Sequence, residues 1–167
     1  MDQFTYSSII RDLTGRALWE VENVIACIPD DCWDKYYYSQ PVWKHVYHML
    51  HSLDQWLINP CVFIEPKIHT AGLNNLDISS FKILTRADIC DYFYCTKKKI
   101  MDYLKTLRDD DLLIYPEKCE FTRFTLILAQ HRHLHTHMGM LMGFIVNDTG
   151  KWPLVLGLMS AIPGDLS

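Results

Sequence analysis

The chain has no Cys-x-x-Cys pair, no run of basic residues, no uninterrupted apolar stretch long enough to cross a bilayer, and only seven glycines and seven prolines in 167 residues. Each absence removes a class of protein. Without Cys-x-x-Cys there is neither a zinc knuckle nor a dithiol redox pair, so the cysteines at 27, 32, 61, 90, 95 and 119 read as reduced thiols buried as small hydrophobes. Sixteen Lys and Arg stand against twenty Asp and Glu, a net charge of −4, and no basic stripe exists to meet a phosphate backbone. Nucleic acid is therefore not expected as a partner, nor is a membrane. The start, MDQFTYSSII, has an acid at position 2 and no basic segment leading an apolar one, so no secretory signal is read and a cytoplasmic location is expected.

What is present is apolar and helical. Hydrophobic residues make up 49% of the chain. At this length roughly 70% of the surface of the unfolded chain is buried on folding, enough for one domain, 1–167, with a core that needs no metal or disulfide. Residues 7–28 place Ile9, Ile10, Leu13, Leu18, Val21, Val24, Ile25 and Ile28 at mostly three- and four-residue spacing before Pro29, a first helix. Pro41 opens a second, carried by Val42, Val46, Leu50, Leu53 and Leu57 to Asn59-Pro60. Residues 61–84 lack sustained periodicity and form a long connection, with room for a crossover or a short helix. Thr85 with Asp88 resembles a capping box and starts a third helix through Ile89, Phe93, Ile100, Leu104 and Leu107. Residues 121–147, free of proline, form the fourth and longest, and the final WPLVLGLMSAIPGDLS is expected as a tail packed on the bundle. With no strand-like alternation beyond short pieces, the fold class is all-α, a four-helix bundle with a long connection between helices two and three.

Eight histidines occur, seven of them in two clusters: His45, His48 and His51 on helix two, and His131, His133, His135 and His137 on helix four, with His69 outside both. Imidazole is a common ligand of Zn, Ni, Cu and Fe(II), and two of them four apart on a helix lie roughly 40° from each other, near enough to share an ion. Helix four offers two such pairs, His131/His135 and His133/His137, offset by roughly 200°, so only one can serve a given site. Periodicity does not choose between them, because apolar residues flank both. The arc is wide enough to be covered on two sides, one against a second subunit, while Gly139 and Gly143 on the remaining face would allow close helix approach. On helix two, the wheel places His45 nearest the leucine stripe, His51 farthest and His48 between, and does not separate His45 from His48 as a ligand.

The stretch Tyr47-His48-Met49-Leu50-His51-Ser52-Leu53-Asp54-Gln55-Trp56-Leu57 resembles the second helix of the DinB-like (DNA-damage-inducible, YfiT-like) superfamily of metalloenzymes, in which a ligating His is followed eight positions on by an aromatic. Arg132-His133-Leu134-His135-Thr136-His137-Met138-Gly139-Met140-Leu141 resembles their last helix, where two ligating histidines stand four apart before a Gly-Gln-Leu segment. The resemblance extends over nearly the whole chain through helix order and count, and its specific part is the three histidines. It implies His48, His133 and His137 as ligands of one divalent transition ion, Ni or Zn, with His131 and His135 on an outer or dimer-interface face and His45 and His51 as neighbours of the site. It also implies a homodimer and a small-molecule substrate, in some relatives a low-molecular-weight thiol that is transferred. Met140 stands where the family has Gln, so a role for that amide does not carry over.

The chemistry of such a set does not depend on the name. Three neutral imidazoles leave a divalent ion with open positions, whereas structural zinc is closed by four protein ligands. An open ion activates water or binds a thiolate. Ring tautomers need outer partners, for which Glu20, Glu22 and Asp54 are the candidates. The reading is a metal-dependent enzyme of thiol transfer or hydrolysis. The alternative is a non-catalytic metal- or ligand-binding bundle, in which a fourth side chain such as His51 or a carboxylate would close the coordination. A di-iron bundle is poorer, since Glu-x-x-His is absent from both clusters, and no cysteine has an adjacent histidine to make it a nucleophile.

Overall fold

The computed structural model describes residues 5–163. Four helices build it: α1 (Tyr6–Cys27), α2 (Val42–Trp56), α3 (Arg86–Thr106) and α4 (Arg123–Thr149). Their ends follow local chemistry. Thr5 caps α1 and exchanges hydrogen bonds with Ser8, and Thr85 does the same with Asp88 at α3, so the expected capping box is present. Pro41 sits one position earlier than a first-turn proline, as the N-cap of α2. Thr122 caps α4, which ends on Gly150 in the left-handed region, φ 70°, where glycine carries no Cβ penalty.

Contacts between the helices fix the topology. The carboxylate of Asp109, just beyond α3, accepts from the backbone N–H of Tyr6 and Ser7 at the start of α1. At the other end, the Arg86 guanidinium at the start of α3 donates to the carbonyls of Ile25 and Ile28. α1 and α3 are therefore antiparallel, and each charge complements the helix terminus it caps. α2 and α4 are antiparallel too, because His48 meets His137 while Ser52 meets Gln130. The short connection after Asp109 starts α4 at the end where α1 starts, so α1 and α4 run together, and so do α2 and α3. Two neighbouring helices in one direction require a connection that returns the length of the bundle. Residues 57–85 are that connection, with one 3₁₀ turn at Pro60–Val62 and further turns.

The core lies between the four helices, with Leu18, Val21, Val46, Leu50, Ile89, Ile100, Ile127 and Leu141 essentially inaccessible. Ile9 and Leu13, read from sequence as part of the α1 stripe, are instead exposed. On α4, Leu134, Met138, Met142 and Ile145 are all buried within the single chain. The wide apolar arc thus has its cover without a second subunit. Gly139 and Gly143 are exposed, with nothing within 4 Å of where a Cβ would stand, so they mediate no close helix approach here.

Two parts depart from a plain bundle. Tyr36–Tyr37 pairs antiparallel with Gln40–Pro41 in a two-stranded hairpin. Its turn residues Tyr38 and Ser39 both have positive φ, 48° and 68°, the conformation that two-residue hairpin turns demand. The Tyr37 ring stacks on Phe144 with centroids 4.0 Å apart. The C-terminal segment follows α1 through polar latches: Glu20 accepts from Leu156 N–H, Asn23 donates to Leu154 O, and Arg16 donates to the carbonyls of Gly157 and Ser160. Trp152, Leu154, Val155, Leu158 and Met159 on it stay exposed, so it is tied on by hydrogen bonds more than by burial. No helix among the described residues is long and apolar enough to cross a membrane.

All six cysteines are free. Cys119 is buried, while Cys61 and Cys95 are exposed and the others half-buried, so the buried-hydrophobe reading holds fully for one of the six.

Candidate metal centre

His48 projects from the middle of α2 and His133 and His137 from the facing turns of α4, the closest-packed helix pair of the bundle. The three rings converge. Centroid distances are 5.3 Å for His48–His133, 4.5 Å for His48–His137 and 4.4 Å for His133–His137. One nitrogen from each lies within 4.8 Å of the other two. His48 Nε2 and His137 Nε2 are 3.2 Å apart. Two nitrogens each bound at about 2.0 to 2.1 Å to a common ion stand about 2.8 to 3.4 Å apart, depending on coordination number. This pair already has that separation.

Protonation favours ligation. His48 Nδ1 lies 2.6 Å from the backbone carbonyl of Asn74. A carbonyl only accepts, so Nδ1 carries the proton and the lone pair is on Nε2, directed at the other two rings. Burial pushes the His133 imidazole below its ordinary value, with the nearby His48 and Arg132 adding to it. Burial, then His48, His133 and His45, lowers His137 further, to about 4. Three such rings cannot all hold protons at this spacing, and neutral imidazole is the ligating form. His133 Nδ1 and His137 Nδ1 are buried and unpaired, so protein groups alone leave the cluster incompletely satisfied. The donor set fits a divalent ion of borderline softness with nitrogen preference, and each ring is partly exposed, leaving a solvent-facing side.

The remaining histidines separate cleanly. His45 Nε2 bonds to the Tyr37 carbonyl at 2.9 Å and its ring meets Phe144 edge-on, so it ties α2 to the hairpin. His131 does not lie on an outer face. Its Nε2 is 2.8 Å from Thr14 Oγ1. Thr14 spends its own proton on the Ile10 carbonyl, so His131 Nε2–H is the donor, and the contact joins α4 to α1. His135 is exposed, as expected, and turns back to the His131 carbonyl. His51, placed farthest from the core by the helical wheel, is 1% exposed, because the 57–85 connection covers that side of α2.

No family model, curated protein or solved structure matches the chain.

None of the three acids read from sequence as outer partners reaches the rings. Glu20 holds the C-terminal segment, Glu22 takes Tyr94 and Lys97, and Asp54 takes Tyr92 and Lys99. The outer partner of His48 is the Asn74 carbonyl, contributed by a turn 26 residues downstream, which side-chain type could not reveal. Among the described residues no fourth Cys, His, Asp or Glu joins the three, and His51 is committed elsewhere. A cleft of about 710 Å³ lies apart, between α1, α3 and the C-terminal segment, and is lined by residues that include Arg11, Asp12, Trp19, Glu22 and Lys97, with no histidine among them.

Proposed function

We propose that the chain is a metal-dependent enzyme of DinB-like type, in which His48, His133 and His137 hold one divalent ion, nickel or zinc, and leave open positions for a substrate. The observation that carries this is the convergence of three imidazoles, one held in the ligating tautomer by Asn74, with no fourth protein ligand among the described residues. An ion held so would supply Lewis acidity, bringing a bound water or thiol to its anionic form near neutral pH. The chain's own contribution is to keep His48 Nε2 free of a proton, to keep His133 and His137 neutral through burial and mutual repulsion, and to leave one side of the cluster wet. The reaction class is thiol transfer or hydrolysis on a small molecule. A homodimer belongs to the same reading, formed through the open face of α4 that carries Arg132, Thr136, Gly139 and Gly143, all exposed.

The test is a panel of thiol-transfer and hydrolase substrates run on ion-loaded protein, with and without chelator, in a cytoplasm-like reducing buffer. Chelator-sensitive turnover that His133→Ala abolishes supports the reading. Ion uptake without turnover on any substrate favours the non-catalytic binding bundle.

A further inference from the structure

A second set of ligating side chains lies one turn along α2, under the 57–85 connection, where the sequence showed only scattered residues. His51, Glu65 and His69 bring one ligand atom each within 4.8 Å of one another. His51 Nε2 is 2.7 Å from Glu65 Oε2, which is in turn 3.7 Å from His69 Nδ1, and the two rings are 4.8 Å apart between centroids. Two imidazoles and one carboxylate are the donor set of many zinc and non-haem iron(II) sites with open positions.

We infer that His51, Glu65 and His69 form a second divalent-cation site, separate from the three-histidine cluster. Three features favour it. The set carries one negative charge, which partly neutralises a divalent ion, whereas the first cluster brings none. His51 and His69 are held against a buried wall, His51 almost wholly inaccessible and His69 with a side chain 12% exposed, while Glu65 has a side chain 50% exposed and gives an ion a route in from solvent. Tyr47 lies on the inner side with its hydroxyl 2.9 Å from His69 Nδ1. That contact orients the His69 ring.

Asn74 joins the two sites. Its carbonyl fixes His48, and its side-chain amide lies 3.3 Å from His51 Nδ1. In the form described, the amide N–H donates to Nδ1, which puts the His51 proton on Nε2, shared with Glu65. Taking up an ion moves that proton to Nδ1 and turns the amide so that Asn74 Oδ1 accepts it. No net proton is lost, and the loaded ring then has the carbonyl-type outer partner usual for ligating histidines. The 57–85 connection would thereby be pinned to α2 by both sites through one residue.

The experiment is titration of metal-free full-length protein with Zn²⁺, read by competition with a chromophoric chelator, and with Co²⁺, read by its visible absorption. Wild type is expected to take up two ions per chain, Glu65→Gln one, His133→Ala one, and the double variant none. Glu65 is half-exposed on a connection, so Glu65→Gln leaves the fold intact, which circular dichroism checks; His69→Ala repeats the test from a second ligand. Affinity at the second site should fall by more than the roughly 10- to 100-fold typical of losing only an outer partner. Uptake of one ion by wild type, unchanged in Glu65→Gln and His69→Ala, overturns the second site and leaves the first standing. One ion retained in His133→Ala and lost in Glu65→Gln supports the second site even where the first fails.

Discussion

Removing the ion from the three-histidine centre should lower the melting temperature without unfolding the chain. The core is made by apolar residues such as Leu18, Val21, Leu50, Ile89 and Ile127, all essentially inaccessible. Zinc-dependent small domains unfold without metal because they lack such a core. Here an ion adds only linkage stability, about 2.7 kcal/mol at a free concentration a hundred times its dissociation constant. With unfolding entropy of roughly 2.1 cal/mol/K per residue, this chain length gives about 0.35 kcal/mol/K, so each ion raises the midpoint by about 8 °C. The assay is a pair of thermal melts, with saturating Zn²⁺ and with excess chelator, run in Glu65→Gln so that only the three-histidine centre is loaded. At 25 °C the helical signal should be the same in both. Loss of that signal on chelation would refute the reasoning and make the ion a folding element. An unchanged shift in a His133→Ala background would place the ion elsewhere.

Acid should destabilise the chelated protein from near neutrality. The folded-state values of His45, His69, His131, His133 and His137 are lowered, the last to about 4, so below about 6.5 the unfolded chain binds more protons. Stability is then full above 6.5 and falls as pH drops toward 4, which urea melts at pH 7.5, 6 and 5 would follow; a flat profile contradicts it. His131→Ala should cost about 1 to 2 kcal/mol through the lost Thr14 contact and some packing, with ion uptake unchanged. Asp109→Ala should lower the denaturation midpoint while leaving the Thr5 cap in place, since two backbone donors at the start of α1 lose their acceptor. Leu50→Ala, at the centre of the core, should cost about 2 to 5 kcal/mol.

The four helices and the cap of α3 were legible because their signals are local, while the Thr5 and Thr122 caps were not read. Thr85 and Asp88 stand three apart and bond to each other, and Gly150 follows the last turn of α4. The hairpin at 36–41 was not legible, because Tyr38 and Ser39 occupy the positive-φ positions where Gly or Asn would have marked a turn. The helical wheel failed for His51 for a different reason. It counts only the apolar neighbours on the same helix, and this ring is covered by a distant connection through Glu65, His69 and Asn74. His131 was misplaced for the converse reason: its partner Thr14 is a polar residue of α1 that no apolar stripe announces. Seven histidines in two clusters marked the region of the metal centre, but which rings meet depends on the register of α2 against α4, a long-range property of packing.

The most direct test is metal content. Protein stripped with chelator, reloaded with Zn²⁺ or Ni²⁺ and desalted is measured by elemental analysis in the Glu65→Gln background. One ion per chain is predicted, falling to none in His48→Ala, His133→Ala and His137→Ala and unchanged in His131→Ala. Retention of the ion in His133→Ala, or its loss in His131→Ala, would contradict the three-histidine centre.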